Sequence, residues 1–270
     1  MSGNLSCIGF TFAPEVHDEA LAGAVVRMAN EATERLACQP GDYAIWRSRT
    51  GAEVWVHLAT KDSDGQREII GLTPFFEGRS EIPVSVAASI MRPDDNVFEG
   101  AWSVWIAPDE NGLGSYPAVI DAVDWAARAS LALPCSTTMR VTCFARELAA
   151  FASESEFVAS PLRQAELASQ GFIPIGLFAA ADADADHPGG APDAEPLPQP
   201  SSTALLTGRV VEHATLINEM MGLPFEWLLV ESLEATYDVV ADPAVVSGSI
   251  EVGGTVQVAG WLVGRILDVQ

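Results

Sequence analysis

Hydrophobic and polar residues recur along this chain with two different periods, and the changes of period mark out its elements. Over residues 17–37, Leu21, Val25, Met28, Ala32 and Leu36 return at about 3.6-residue spacing, which predicts a helix. Arg27, Asn30, Glu31 and Glu34 take its other faces, and Gln39-Pro40-Gly41 stops it. His17, Asp18 and Glu19 stand at its start. Neighbours in a helix point in different directions, so they read as a charged first turn that suits the helix dipole.

A period of two takes over in the next stretch. Residues 43–47 and 52–60 alternate as strands around the turn Ser48-Arg49-Thr50-Gly51, predicting a hairpin. Val54, Val56 and Leu58 face one way; Glu53, Trp55 and His57 face the other. Further strands are expected at 8–12, 68–72, 82–89 and 101–107, with 73–78 as a link and Asp64-Gly65 as a turn. Residues 117–132 read as helical because Ile120, Val123, Ala127 and Leu131 share a face, with Ala-rich irregular chain as the alternative. A buried strand follows at 139–145, a short helix at 147–159 and an apolar closing segment at 171–178, whose Pro174 suits an edge strand.

All periodicity stops at residues 180–202. Five prolines, two glycines and almost no large apolar side chain leave nothing to offset the entropy of ordering this stretch. It reads as a Pro/Ala/Asp-rich linker between a domain at 1–179 and a smaller one at 203–270. Asp182, Asp184 and Asp186 resemble the start of a calcium loop, but His187 stands where such a loop requires glycine. Beyond the linker, strands are expected at 205–211, 225–231, 236–241, 249–252 and 255–267, with a polar crossing over 213–219. Gly260 and Gly264 are the places where the last strand can bend.

The predicted class is therefore α+β. A mostly antiparallel N-terminal sheet carries a packed helix, and a small C-terminal five-stranded barrel resembles OB or SH3-like folds. The strand, helix, three-strand order at the start is also similar to that of the vicinal-oxygen-chelate (glyoxalase-like) superfamily. That resemblance implies metal ligands near the middle of the first strand, and Cys7-Ile8-Gly9-Phe10-Thr11-Phe12 supplies none evident.

Charge narrows the choice of partners. Asp and Glu outnumber Lys and Arg by 37 to 14, giving a formal net charge of −23. Such a surface repels phosphate backbones and anionic membranes, so neither nucleic acid nor membrane is expected as a partner. Cys7, Cys38, Cys135 and Cys143 are scattered with no Cys-x-x-Cys pair, which suits buried thiols and a cytoplasmic setting. No nucleotide, hydrolase or zinc-protease motif is present, and no cofactor is expected.

Glu53, Trp55 and His57 are the candidate site, as a ligand or partner surface. Glu53 and His57 lie about 13 Å apart on an extended strand, so they cannot share a metal whose bonds are about 2 Å long. A neighbouring strand would have to supply partners, and Trp46 or Trp105 would make the face an aromatic patch. The expected function is non-enzymatic binding to a protein partner or self-association. The alternatives are a small-molecule or metal-dependent enzyme built on the N-terminal sheet, and an acidic decoy of nucleic acid.

Overall fold

The computed structural model describes residues 4–12, 17–61, 65–163, 167–177 and 199–269. Residues 180–198 of the expected linker, with Asp182, Asp184, Asp186 and His187, lie outside the described residues, as does Asp64.

Four strands form an antiparallel sheet in sequence order: β1 (Glu34–Cys38), β2 (Gly41–Arg47), β3 (Ala52–Thr60) and β4 (Arg67–Phe76). The β2–β3 hairpin matches the alternation, with Tyr43 opposite His57, Ile45 opposite Trp55 and Arg47 opposite Glu53. The first helix, α1 (His17–Asn30), packs on β2 and β3 and buries Val25 and Met28. It is shorter than its periodicity predicts. Thr33 N–H bonds Ile45 O at 2.9 Å and Leu36 pairs with Tyr43, so sheet pairing claims residues 34–38 as β1. No strand forms at 8–12. Ser6–Ile8 is a 3-10 turn, and Leu5, Cys7, Ile8 and Phe10 are buried as irregular chain. The strand-first order behind the glyoxalase-like resemblance is therefore absent.

The second sheet is larger and mixed. It contains β5 (Ile82–Ile90), β6 (Ala101–Ile106), β7 (Tyr116–Ala122), β8 (Cys135–Phe151), β9 (Gly171–Ile173), β10 (Thr203–Asn218), β11 (Leu223–Ser232), β12 (Ala235–Ala241), β13 (Val246–Ser247) and β14 (Thr255–Val269). Two short helices, α2 (Trp125–Arg128) and α3 (Glu154–Ala159), interrupt it. The class is thus α+β and dominated by strands.

Several segments became strands against the local pattern. Residues 117–122 read as helix, yet Ala118, Val119 and Ile120 are all buried in β7; a strand covered on both faces shows a continuous apolar run instead of alternation. β8 continues through residues 147–151, and β10 through the expected polar crossing, because β14 and β11 pair with them along their lengths. Residues 73–76 belong to β4, not to a link, and 249–252 form no strand.

β8 and β14 form the long antiparallel ladder at the centre, running from Thr137 opposite Val269 to Phe151 opposite Thr255. The first part of β8 also pairs with β5 and its middle with β12. The start of β14 pairs with β10, and Val263 and Gly264 pair with β7. Two circuits of pairing close around this ladder, β8-β5-β6-β7-β14 and β8-β12-β11-β10-β14. The C-terminal strands therefore close with β8, contributed by residues 135–151, which differs from a barrel built from residues 203–270 alone.

Gly260 makes the ladder possible at its bulge. A Cβ there would collide with Cys143 Sγ and approach Phe144 O at 2.8 Å. One core, with Met139, Val141, Cys143, Val258, Leu262 and Tyr237, lies among the large-sheet strands. The other joins the small sheet and α1 to Phe144, Val263, Phe225 and Trp227. Each large apolar side chain so buried stabilises the fold by about 1.5–3 kcal/mol relative to exposure.

Candidate functional site

The three residues singled out by the alternation share a strand face, as expected, but that face is interior. Glu53 and His57 are 0% exposed and Trp55 is 2% exposed. Glu53 takes the Arg47 guanidinium on one oxygen and Trp55 Nε1–H on the other, at 2.7 Å. Burial pushes its carboxyl upward against these two partners. His57 stacks on Phe98 at 5.2 Å and meets Tyr43 edge-on, while its Nε2 lies 3.2 Å from Thr73 Oγ1. Burial drives its pKa down to about 3, so the imidazole is neutral and its 3.9 Å approach to Glu99 Oε1 is not an ion pair. Trp46 lies on the opposite face against Phe10, and Trp105 belongs to β6 in the other sheet. The face is a buried packing layer.

What lies beyond that layer is a cleft. Its volume is about 360 Å³, and it opens between the β4 edge and the large sheet. Leu72, Thr73 and Pro74 of β4 form one side; Asp121 of β7 and Trp261 of β14 form the other. Arg146 of β8 also lines it. The ten residues 91–100 between β5 and β6 bring Arg92, Asp94, Asp95 and Glu99 to it.

That loop is held by its own side chains. Asp95 Oδ2 accepts from Arg92 N–H at 2.7 Å, Glu99 Oε2 from Asn96 N–H at 3.1 Å, and Asn96 Oδ1 from Phe98 N–H at 2.8 Å. Phe98 is then buried against His57 and Tyr43, which anchors the loop to the small sheet. Gly100 lies over the Trp125 ring so closely that any Cβ would strike it, and Trp102 tilts against Trp125 at 4.7 Å.

The charges in the cleft divide into a fixed set and a free set. Arg92 bonds Asp121 Oδ1 at 2.7 Å and Pro200 O at 2.8 Å, and Trp261 Nε1–H donates to Asp121 Oδ2 at 2.6 Å. Glu99 is pushed upward by burial, with Asp95 and Asp121 adding to the effect. Asp94 and Arg146 are exposed and take part in no salt bridge among the described residues. Among those residues no three His, Cys, Asp or Glu side chains are grouped to hold a metal ion.

Asp124, before α2, is a second buried carboxyl with a displaced pKa. It is 2% exposed, its Oδ1 has no hydrogen-bond partner, and burial raises it to about 6 despite Arg128. A carboxyl raised in this way favours the folded state while protonated, and that contribution disappears as pH rises through 6. Asp124→Asn is therefore expected to stabilise the protein at pH 8 by about 2 kcal/mol, and to change little at pH 4. Urea unfolding at the two pH values checks this; equal shifts at both would show the carboxyl is not the cause.

Of these residues, sequence reasoning reached His57 and missed the cleft in front of it. A usable signal was present: a ten-residue polar connection between two strands is long for a hairpin, and Arg92-Pro93-Asp94-Asp95-Asn96 is dense in charge. Asp121 was hidden because its segment read as helix. His17-Asp18-Glu19 proved to be the start of α1, with Asp18 and Glu19 exposed in its first turn. No protein-family model matches the sequence, and neither curated proteins nor solved structures give a match.

Proposed function

We propose that this protein binds a small polar molecule in the cleft between β4 and strands β7 and β14. The observation that carries the reading is the division of charge there. Asp121, Arg92 and Trp261 form a rigid hydrogen-bonded wall, while Glu99, Asp94 and Arg146 face the same space with their charges unmatched. A concave site with a few convergent polar groups on strands and on a loop pinned by its own hydrogen bonds suits ligand capture.

A second reading, association with a protein partner or another copy, is favoured by Met91 and Val97, which are 63% and 56% exposed on the loop that borders the cleft. Four cysteines without a disulfide support a cytoplasmic setting, and the charge of −23 supports the exclusion of polyanions. The C-terminal strands as a curled OB or SH3-like barrel belong to the same reading, with β8 as the closing strand.

A melting-temperature screen of the full chain against small polar metabolites tests the proposal. A native-state ligand at 100 times its Kd adds about 2.7 kcal/mol of stability, enough for a clear rise in Tm. The rise should vanish in Glu99→Gln. A screen without any shift, alongside a concentration-dependent oligomer in size-exclusion chromatography, would favour the second reading.

A further inference from the structure

Resting on the cleft as a small-molecule site, we propose that its ligand is a basic amino acid. Arg146 takes the α-carboxylate, and Glu99 and Asp94 take the two ammonium groups.

Six charged groups line the cleft: Arg92, Asp94, Asp95, Glu99, Asp121 and Arg146. Arg92 is consumed internally. Its Nη2 donates to Asp121 at 2.7 Å, its Nη1 lies 3.7 Å from Asp95, and its Nε donates to Pro200 O at 2.8 Å. The second oxygen of Asp121 accepts from the Trp261 indole, so that carboxylate is also spoken for. Asp95 and Asp121 share Arg92, so that set keeps one net negative charge; outside it two carboxylates and one guanidinium remain without a charged partner among the described residues.

Glu99 faces a neutral imidazole where a cation would be needed to balance it. Asp94 and Arg146 are exposed and outside every described salt bridge. The complementary solute therefore carries two positive groups and one negative one. A simple anion would meet two carboxylates, and a simple diamine would leave the Arg146 fork without the planar carboxylate it pairs with best. The side of Trp261 supplies a flat apolar surface beside which a methylene chain can lie. The overall charge of −23 raises the local concentration of cationic solutes, and a cleft focuses that field.

Titration calorimetry on the full chain with three probes decides the matter: L-lysine, cadaverine (which lacks the carboxylate) and hexanoate (which lacks both amines). Lysine is expected to bind at least tenfold more tightly than cadaverine, and hexanoate not to bind. Arg146→Ala should bring lysine and cadaverine to equal affinity, and Asp94→Asn should weaken both at least tenfold. Asp94 and Arg146 are exposed, so these variants should melt as the parent does. Cadaverine binding as tightly as lysine would overturn the amino-acid assignment while leaving the cleft a ligand site. Lysine binding undiminished in both variants would overturn it too, by placing lysine elsewhere. If none of the three binds while another solute raises the Tm of the parent and not of Glu99→Gln, only the ligand class falls. If no solute does so, both proposals fall.

Discussion

Replacing Asp238 with alanine is expected to lower the unfolding free energy by about 3–5 kcal/mol, read as a shift of the urea midpoint at unchanged m-value. Asp238 is 0% exposed in β12. Its carboxylate accepts Arg79 N–H at 3.0 and 2.8 Å, Ser80 N–H at 2.7 Å and Trp227 Nε1–H at 2.8 Å. The donors at 79 and 80 come from the chain between β4 and β5, where the small sheet passes into the large one. Truncation would leave three donors without their acceptor, among them the buried Ser80 N–H and the Trp227 indole N–H, and each orphaned buried donor costs about 1–3 kcal/mol. Asp238→Asn keeps the volume and one acceptor oxygen, so its loss should be roughly half as large. No loss in Asp238→Asn, or only a small loss in both variants, would mean that the charge-assisted bonds are not what holds the junction.

The second large effect concerns acid. His57 has a folded pKa of about 3 against an ordinary 6.5, because burial excludes the imidazolium. Below pH 6.5 the unfolded chain takes up a proton that the folded chain refuses. The stabilising contribution is therefore complete above pH 6.5 and is lost as pH falls toward 3. The difference amounts to about 5 kcal/mol at its limit. Asp124 works in the opposite sense over part of the same window, since its protonation favours the folded form below pH 6. His57→Gln should cost about 1–3 kcal/mol at pH 7.5 through lost packing and hydrogen bonding. Its stability should then decline much less than the parent's between pH 6.5 and 4. Parallel pH profiles for parent and variant would remove His57 as the source of acid lability.

The small sheet was legible because its hairpin obeys a strict alternation and a Gly-containing turn, and β2 and β3 pair as that hairpin, with Arg47 opposite Glu53. Alternation says which residues share a face, and it placed Glu53, Trp55 and His57 together correctly. It cannot say whether a face meets water. Phe98, distant in sequence, stacks on His57 and covers part of this one. The same limit explains residues 117–122, where burial on both faces erased the period that separates strand from helix. Glu34 and Leu36 read as the end of a helix because local periodicity extends past Asn30; the tertiary pairing of Leu36 with Tyr43 overrode it. The cleft was the least legible part. Its charges come from three separate segments, around residues 92–99, 121 and 146, and only the folded topology brings them together with Trp261.

The ladder between β8 and β14 also sets an order of events during synthesis. Both circuits of the large sheet use residues 255–269, so neither can shut while that stretch is still inside the ribosome. Until then β5, β6 and β7, with β10 to β12, wait with unpaired edges, the condition in which nascent chains stick to one another. An acidic surface of like charge repels neighbouring copies through that interval, which gives the excess of carboxylates a task in assembly as well as in the finished molecule.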